Sequence, residues 1–143
     1  MPKFNIDRIR QIVGEVNLSL AKIENLSRVS EDEFLTSQEK IDSAKYNLIV
    51  AIEGSIDICN HIVAKAGGRA PCDYGDCFTV LSELGVITKD EADKLKKMVK
   101  FRNILVHLYF KVDNKKVYEI MKKDIIDIRN YLKQIGKFIG ESI

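Results

Sequence analysis

The sequence predicts an all-α fold, an up-and-down bundle of four or five helices. Three observations carry that expectation. Apolar residues recur at intervals of three and four over long stretches, which lines them along one face of a helix. Nowhere do they alternate with the period of two that marks a half-buried strand. Only two prolines and eight glycines punctuate 143 residues, too few for the many turns of a β fold. A chain of this length buries one core without covalent staples. With no internal repeat or low-complexity tract, residues 1–143 read as a single helical domain.

The first helix is marked by Ile6, Ile9, Val13, Val16, Leu20 and Ile23, with Asn5 as its N-cap. Ser30-Glu31-Asp32-Glu33 reads as a turn, because short polar side chains compete for backbone hydrogen bonds. A second helix begins at Thr36 or Ser37 and carries Ile41, Ala44, Leu48, Ile52, Ile56, Cys59 and Val63. Gly67-Gly68 ends it, since glycine takes the left-handed C-terminal conformation at little cost. A loop over 69–75 leads to a short helix from about Asp76 to Leu84, stopped by Gly85. Thr88-Lys89-Asp90-Glu91 is a capping box that opens a fourth helix, expected to reach Phe110. Asp113-Asn114 breaks it, and one last helix is expected from Lys116 to Ile139.

Composition narrows the function classes. An apolar fraction of 45% and a charged fraction of 31% belong to a globular protein. The net charge of +2 does not mark the whole molecule for nucleic acid. Its distribution is uneven: from Thr88 to Lys123, eleven basic residues face five acidic ones, while the rest carries twelve against sixteen. Such a segment either steers a phosphate-bearing partner or forms an ordinary solvated helix face. Cys59, Cys72 and Cys77 have neither CxxC nor zinc spacing and read as reduced thiols. The N-terminus has no apolar signal region, and no window approaches the ~20 apolar residues of a membrane span. A cytoplasmic protein with no membrane partner is expected.

The fourth helix departs from the pattern of one buried face and one wet one. On a wheel of 100° per residue, Leu95, Met98, Phe101, Leu105, Leu108 and Val112 form the core stripe. Arg102 and Tyr109, seven residues apart, stack within about 20° on one edge of it. Asn103 and His107, four apart, lie together on the far side. Between these polar pairs runs a second apolar strip, Val99, Val106 and Phe110. A symmetric copy of the chain is the cheapest partner for such a strip, so the protein is expected to dimerise through this helix.

These residue types suit phosphodiester cleavage. Histidine as a residue type titrates near ~6.5 and can both take and give protons at neutral pH. Arginine is permanently charged and presents a planar fork of donors to phosphate oxygens. His107 and Arg102 therefore supply the minimum parts for metal-independent RNA cleavage, with Asn103 placed to orient the imidazole or the phosphate. One geometric problem stands: five residues mean ~140° of rotation and ~7.5 Å of rise, so Arg102 and His107 of one chain do not point at one spot. A dimer apposing two copies of the helix would resolve it. His61, four residues after Asp57, is spaced for a structural hydrogen bond to it. Asp57 is also a candidate supporting residue toward the motif helix.

Arg102-Asn103-x-x-x-His107-x-Tyr109 is similar to the R-N-x-x-x-H-x-Y signature of HepT-like proteins, a branch of the HEPN superfamily. The surroundings resemble that family too. Ile56-Asp57-Ile58-Cys59-Asn60-His61-Ile62 is similar to its Asp…Asn-His segment, Pro71-x-x-Tyr74-x-x-Cys77-Phe78-x-x-Leu81 with Gly85-Val86-Ile87 to its middle region, and Lys97-Met98-Val99-x-Phe101 to its approach to the motif. The resemblance spans about Asp7 to Ile128. It implies the toxin of a type II/VII-like toxin–antitoxin module, a homodimer that cuts RNA without metal at an Arg/His cleft between subunits. It also implies a partner, a nucleotidyltransferase-fold antitoxin of the MntA type that uses ATP to place AMP on the motif tyrosine. The toxin itself would need no cofactor. Carried over, Arg102, Asn103 and His107 are the cleavage residues and Tyr109 is the modification target. Stacked beside Arg102, a phosphate on Tyr109 would occupy the place of the RNA phosphate. The alternative is a catalytically silent helical module that binds a nucleotidyltransferase or another protein. Plain nucleotide binding is disfavoured by the absence of a glycine-rich phosphate loop.

Overall fold

The computed structural model describes residues 3–141 and 143. Its elements are α1 (Ile6–Ser27), α2 (Glu31–Leu35), α3 (Gln38–Ala66), α4 (Tyr74–Glu83), α5 (Lys89–His107), a single 3-10 turn (Tyr109–Lys111), α6 (Asn114–Lys123) and α7 (Ile125–Ile139). The described residues form no strand. The expected caps are present: Asn5 Oδ1 accepts from the Arg8 amide at 3.1 Å, Ser37 Oγ from Lys40 at 3.3 Å, and Thr88 Oγ1 from Glu91 at 3.1 Å. Gly67 closes α3 at φ 77° and Gly85 follows α4 at φ 79°.

α3 is the axis of the molecule. It packs against every other α-helix, and its contact with α1 is the most extensive. By length and composition alone α3 is apolar enough to cross a membrane, with an 18-residue window of mean hydropathy 1.2, as the core helix of a bundle also can be. The fold turns that apolarity inward: Leu48, Ala51, Ile58, Cys59 and Ile62 have no solvent exposure.

Four local expectations change. Residues 31–35 are helical, not a turn, because Ser30 caps them and the otherwise polar segment buries Phe34 against Tyr118. Only half of the capping box at Thr88 forms, since the second carboxylate oxygen of Glu91 is buried without a partner. The last helix is two. α6 packs on α1, α2 and α3 while α7 packs on α5 and α3, and a straight helix through Asp124 would not bury both faces. The motif helix ends at His107, where Leu108 leaves helical geometry at φ −128°, ψ 37°.

The α1–α3 crossing is set by a missing side chain. A Cβ on Gly54 would run into the side chain of Val16, itself fully buried. Valine is β-branched and cannot rotate away cheaply. Gly54→Ala should therefore destabilise the protein by about 1–3 kcal/mol, although alanine favours a helix interior over glycine by ~1 kcal/mol. On exposed Gly14 a Cβ meets nothing within 4 Å, so Gly14→Ala should stabilise by ~0.5–1 kcal/mol. Thermal melts of the two variants should shift in opposite directions.

Candidate active site

α5 presents the motif along its last turn and a half. Arg102 is half-buried, with 18% of its side chain exposed, and donates from Nε (3.2 Å) and Nη2 (2.8 Å) to Oε1 of Glu53 on α3. Its Nη1 donates to Asn103 Oδ1 at 3.0 Å. Asn103 thus meets the guanidinium, and among the described residues no hydrogen bond joins it to the imidazole. The ring of Tyr74, at the start of α4, lies 5.8 Å from the guanidinium carbon. Arg69 braces α4 along its length by pairing with Asp76 in its first turn (2.7 Å) and Glu83 at its last residue (2.9 Å). A cavity of about 210 Å³ opens between Glu53, Asp57, Asn60, Tyr74 and Arg102.

Asp57 faces this cavity. Its predicted pair with His61 is absent: His61 Nε2 instead accepts the Asn5 amide at 3.0 Å, tying the start of α1 to α3. Burial pushes the Asp57 carboxyl up, with Arg8 opposing the shift and Glu53 and Glu15 adding to it.

His107 is exposed at the C-terminus of α5, and among the described residues its side chain has no hydrogen-bond partner. It lies on the same helix as Arg102 but outside the Arg102 cavity. Tyr109 departs furthest from expectation. It sits on the 3-10 turn and not on α5, so it does not stack on Arg102. Its hydroxyl donates to Asp42 Oδ1 at 2.7 Å, its carbonyl accepts from Lys45 Nζ at 2.7 Å, and that ammonium lies 4.3 Å from the ring centroid. Asp42 and Glu53 are eleven residues apart on α3, on nearly the same face and ~16 Å apart along the axis. Within one chain, the Tyr109 hydroxyl and the Arg102 guanidinium are therefore anchored to points about that far apart on α3.

The apolar strip is also revised. Val99 belongs to the core, while Ile104, Val106, Leu108 and Phe110 are exposed, Phe110 to 93%. Leu108, expected in the core, lies outside because the helix has already ended. Glu53, Tyr74, Asn60, Asp42 and Lys45 were missed as site residues. Lys45 carried a signal: it falls between Ile41 and Leu48 in the apolar stripe of α3, where a lysine is buried only with partners. Glu53, Asp57 and Asn60 share one face at helical spacing.

A family model described as "Ribonuclease HepT-like" matches residues 16–135. The chain belongs to the HepT-like family. It is 35% identical over 94 residues to the mRNA nuclease HepT of Shewanella oneidensis, covering 66% of this chain and 71% of that one. It is 25% identical over 129 residues to the tRNA nuclease HepT of Aphanizomenon flos-aquae, covering 90% and 86%. This HepT-like fold superposes on the tri-AMPylated HEPN toxin of Shewanella oneidensis, solved in complex with an MNT antitoxin, with a TM-score of 0.84 at 28% identity over 90% of this chain and 96% of that one.

Asp57 offers a test of how the cavity is built. A carboxyl whose folded pKa is raised binds more protons folded than unfolded, so its ionisation works against folding. That penalty is absent below its ordinary value of 3.8 and complete above the folded one. Asp57→Asn should melt higher than wild type at pH 7, and the two melting curves should converge as pH falls below 3.8.

Proposed function

We propose that this chain is the toxin of a toxin–antitoxin pair: a metal-independent endoribonuclease whose Arg/His site is completed across a dimer, silenced when a nucleotidyltransferase-fold antitoxin AMPylates Tyr109. One observation carries the cleavage reading. Of the five N–H donors of a guanidinium, Arg102 commits two to Glu53 and one to Asn103, which fixes its plane and leaves two for a ligand. Lys96 and Lys100 lead along α5 to Asn103 beside it, lining a second cavity with Tyr74. A phosphate backbone arriving along this path meets a preorganised anion site.

In this reading the 2′-hydroxyl of RNA attacks the adjacent phosphorus. His107 takes the hydroxyl proton or protonates the departing 5′-oxygen, and Arg102 stabilises the charge gathering on the phosphorus oxygens. Asn103, Glu53 and Tyr74 hold the arginine. Asp57, in the same cavity, supports the polar lining. The reaction assigns no step to a metal ion.

A second copy of the chain answers two features. Ile104, Val106, Leu108 and Phe110 form an exposed apolar surface around the end of α5. An isologous contact there would bring His107 of one copy toward Arg102 of the other. Silencing then follows a different route from a phosphate laid on the neighbouring arginine. With ~16 Å between the two anchor points on α3, a nucleotide on Tyr109 acts by its bulk and charge at the cleft entrance, or on the arginine of the second copy.

The unpartnered imidazole of His107 favours one competing reading, a silent helical module that binds its antitoxin and cuts nothing. Expression with and without the antitoxin separates the two. The nuclease reading expects growth arrest and RNA fragmentation without antitoxin, persistent in vitro in EDTA. Arg102→Ala and His107→Ala should each lower cleavage by ~10²-fold or more while the dimer stays folded. Intact RNA and normal growth with the wild type would leave the binding module.

The composite site has a sharper test. Two inactive variants, Arg102→Ala and His107→Ala, should regain activity when unfolded and refolded together. Half the dimers are then mixed and each has one complete cross-chain site, giving about a quarter of wild-type activity. No recovery would place the site within one chain. Val106→Glu should elute as a monomer in size-exclusion chromatography and lose cleavage, and an unchanged elution volume overturns the interface.

A further inference from the structure

The pocket that holds Tyr109 is built for more than anchoring a turn. Resting on the reading of Tyr109 as the AMPylation target, we propose that Asp42 of this same chain is the proton acceptor for nucleotidyl transfer onto the Tyr109 hydroxyl, so that the substrate protein supplies the base for its own modification. The phenol already donates to Asp42 Oδ1 at 2.7 Å, in line for proton transfer.

The surroundings make such a base necessary. Burial and the Asp42 carboxylate push the Tyr109 hydroxyl up to about 12, so free phenolate is scarce at neutral pH. The carboxylate is held below its ordinary range, chiefly by the Tyr109 hydrogen bond and then by that of Gln38. It is therefore charged and ready whenever the phenol must lose its proton. The Lys45 ammonium, 4.3 Å from the ring centroid, favours negative charge as it develops on the phenol. Because Lys45 also binds the Tyr109 carbonyl at 2.7 Å, ring and base keep their relative position.

The step balances. A lone pair of Tyr109 Oη forms a bond to the α-phosphorus of ATP as the bond from that phosphorus to the β-phosphate bridging oxygen breaks, releasing pyrophosphate. The phenolic proton passes to Asp42 and then to water. The product oxygen has no proton and can no longer donate to Asp42, so the original hydrogen bond does not re-form.

The groups acting on Asp42 are Tyr109 from the 3-10 turn, and Gln38 and Lys45 from its own helix. Asp42→Asn keeps an acceptor oxygen for the phenol but removes the base. The full-length chain, its nucleotidyltransferase antitoxin and ATP are incubated together, and AMP on Tyr109 is followed by intact mass and peptide mapping, with Tyr109→Phe as the blank. At pH 7, Asp42→Asn should be labelled ~100-fold more slowly than wild type, with an unchanged KM for ATP, and should stay folded at the assay temperature although it melts lower for want of the charge beside Lys45. Its rate should rise tenfold per pH unit toward the ionisation of the phenol, where the wild-type rate is level. A rate within twofold of wild type, or a slower rate with a pH profile parallel to wild type, overturns the proposal. No AMP on wild-type Tyr109 overturns the reading of Tyr109 as target and this inference with it.

Discussion

Lys45 is the constraint on which the motif's geometry depends. Among the described residues it is the one charged side chain that is buried, at 3% exposure. A buried ammonium is tolerated only when its charge is met by acceptors. Desolvation pulls its pKa down while Asp42 pulls it back up. What meets it is the carbonyl and the ring of Tyr109, together with that nearby carboxylate. The last carbonyls of an α-helix lack intrahelical partners. By capturing one just beyond α5, Lys45 makes the chain's departure from the helix at Leu108 profitable where continued winding would leave the ammonium unmet.

From that one contact follows the division of the motif into two stations on the same face of α3. Glu53 receives Arg102 at one, and Asp42 with Lys45 receives Tyr109 at the other. His107 and Leu108 lie between, exposed, where the chain changes direction. Residues that look contiguous in sequence thus enter two distinct environments, a guanidinium fixed against Glu53 and a tyrosine held between a carboxylate and an ammonium. A modification at one station reaches the other only through the bulk of the added nucleotide or through a second copy of the chain.

How much of this was legible depends on whether the deciding interaction is local. The caps at Asn5, Ser37 and Thr88 and the stop at Gly67 act within a few residues, and reading them needed only spacing and residue type. The placement of Arg102, Asn103 and His107 on one helix was legible for the same reason, since it follows from spacing alone. The end of α5 was not, because no glycine or proline marks it and the contact that ends it comes from 64 positions away. The break at Asp124 is similar. The apolar period continues through it, and only the need to cover both α1 and α5 divides the helix. Glu53 was invisible as a site residue because the arginine it holds lies 49 positions on. Lys45 was visible as an anomaly, a lysine inside an apolar stripe, whose partner the sequence did not name.

The same contrast accounts for the two acidic residues nearest the proposed chemistry. Asp57 and Asp42 both face functional side chains from α3, yet their carboxyls are driven in opposite directions. Asp57 gains little from its neighbours and two of them are carboxylates, so burial prevails and its charge is costly. Asp42 receives hydrogen bonds from Tyr109 and Gln38 and the field of Lys45, so its charge is stabilised. A carboxylate kept charged against a phenol is fit to take a proton from it. Asp57, whose charge burial makes costly, lines the Arg102 cavity while Glu53 pairs with the guanidinium. One helix therefore presents two aspartates whose difference is set entirely by what the rest of the chain brings to them.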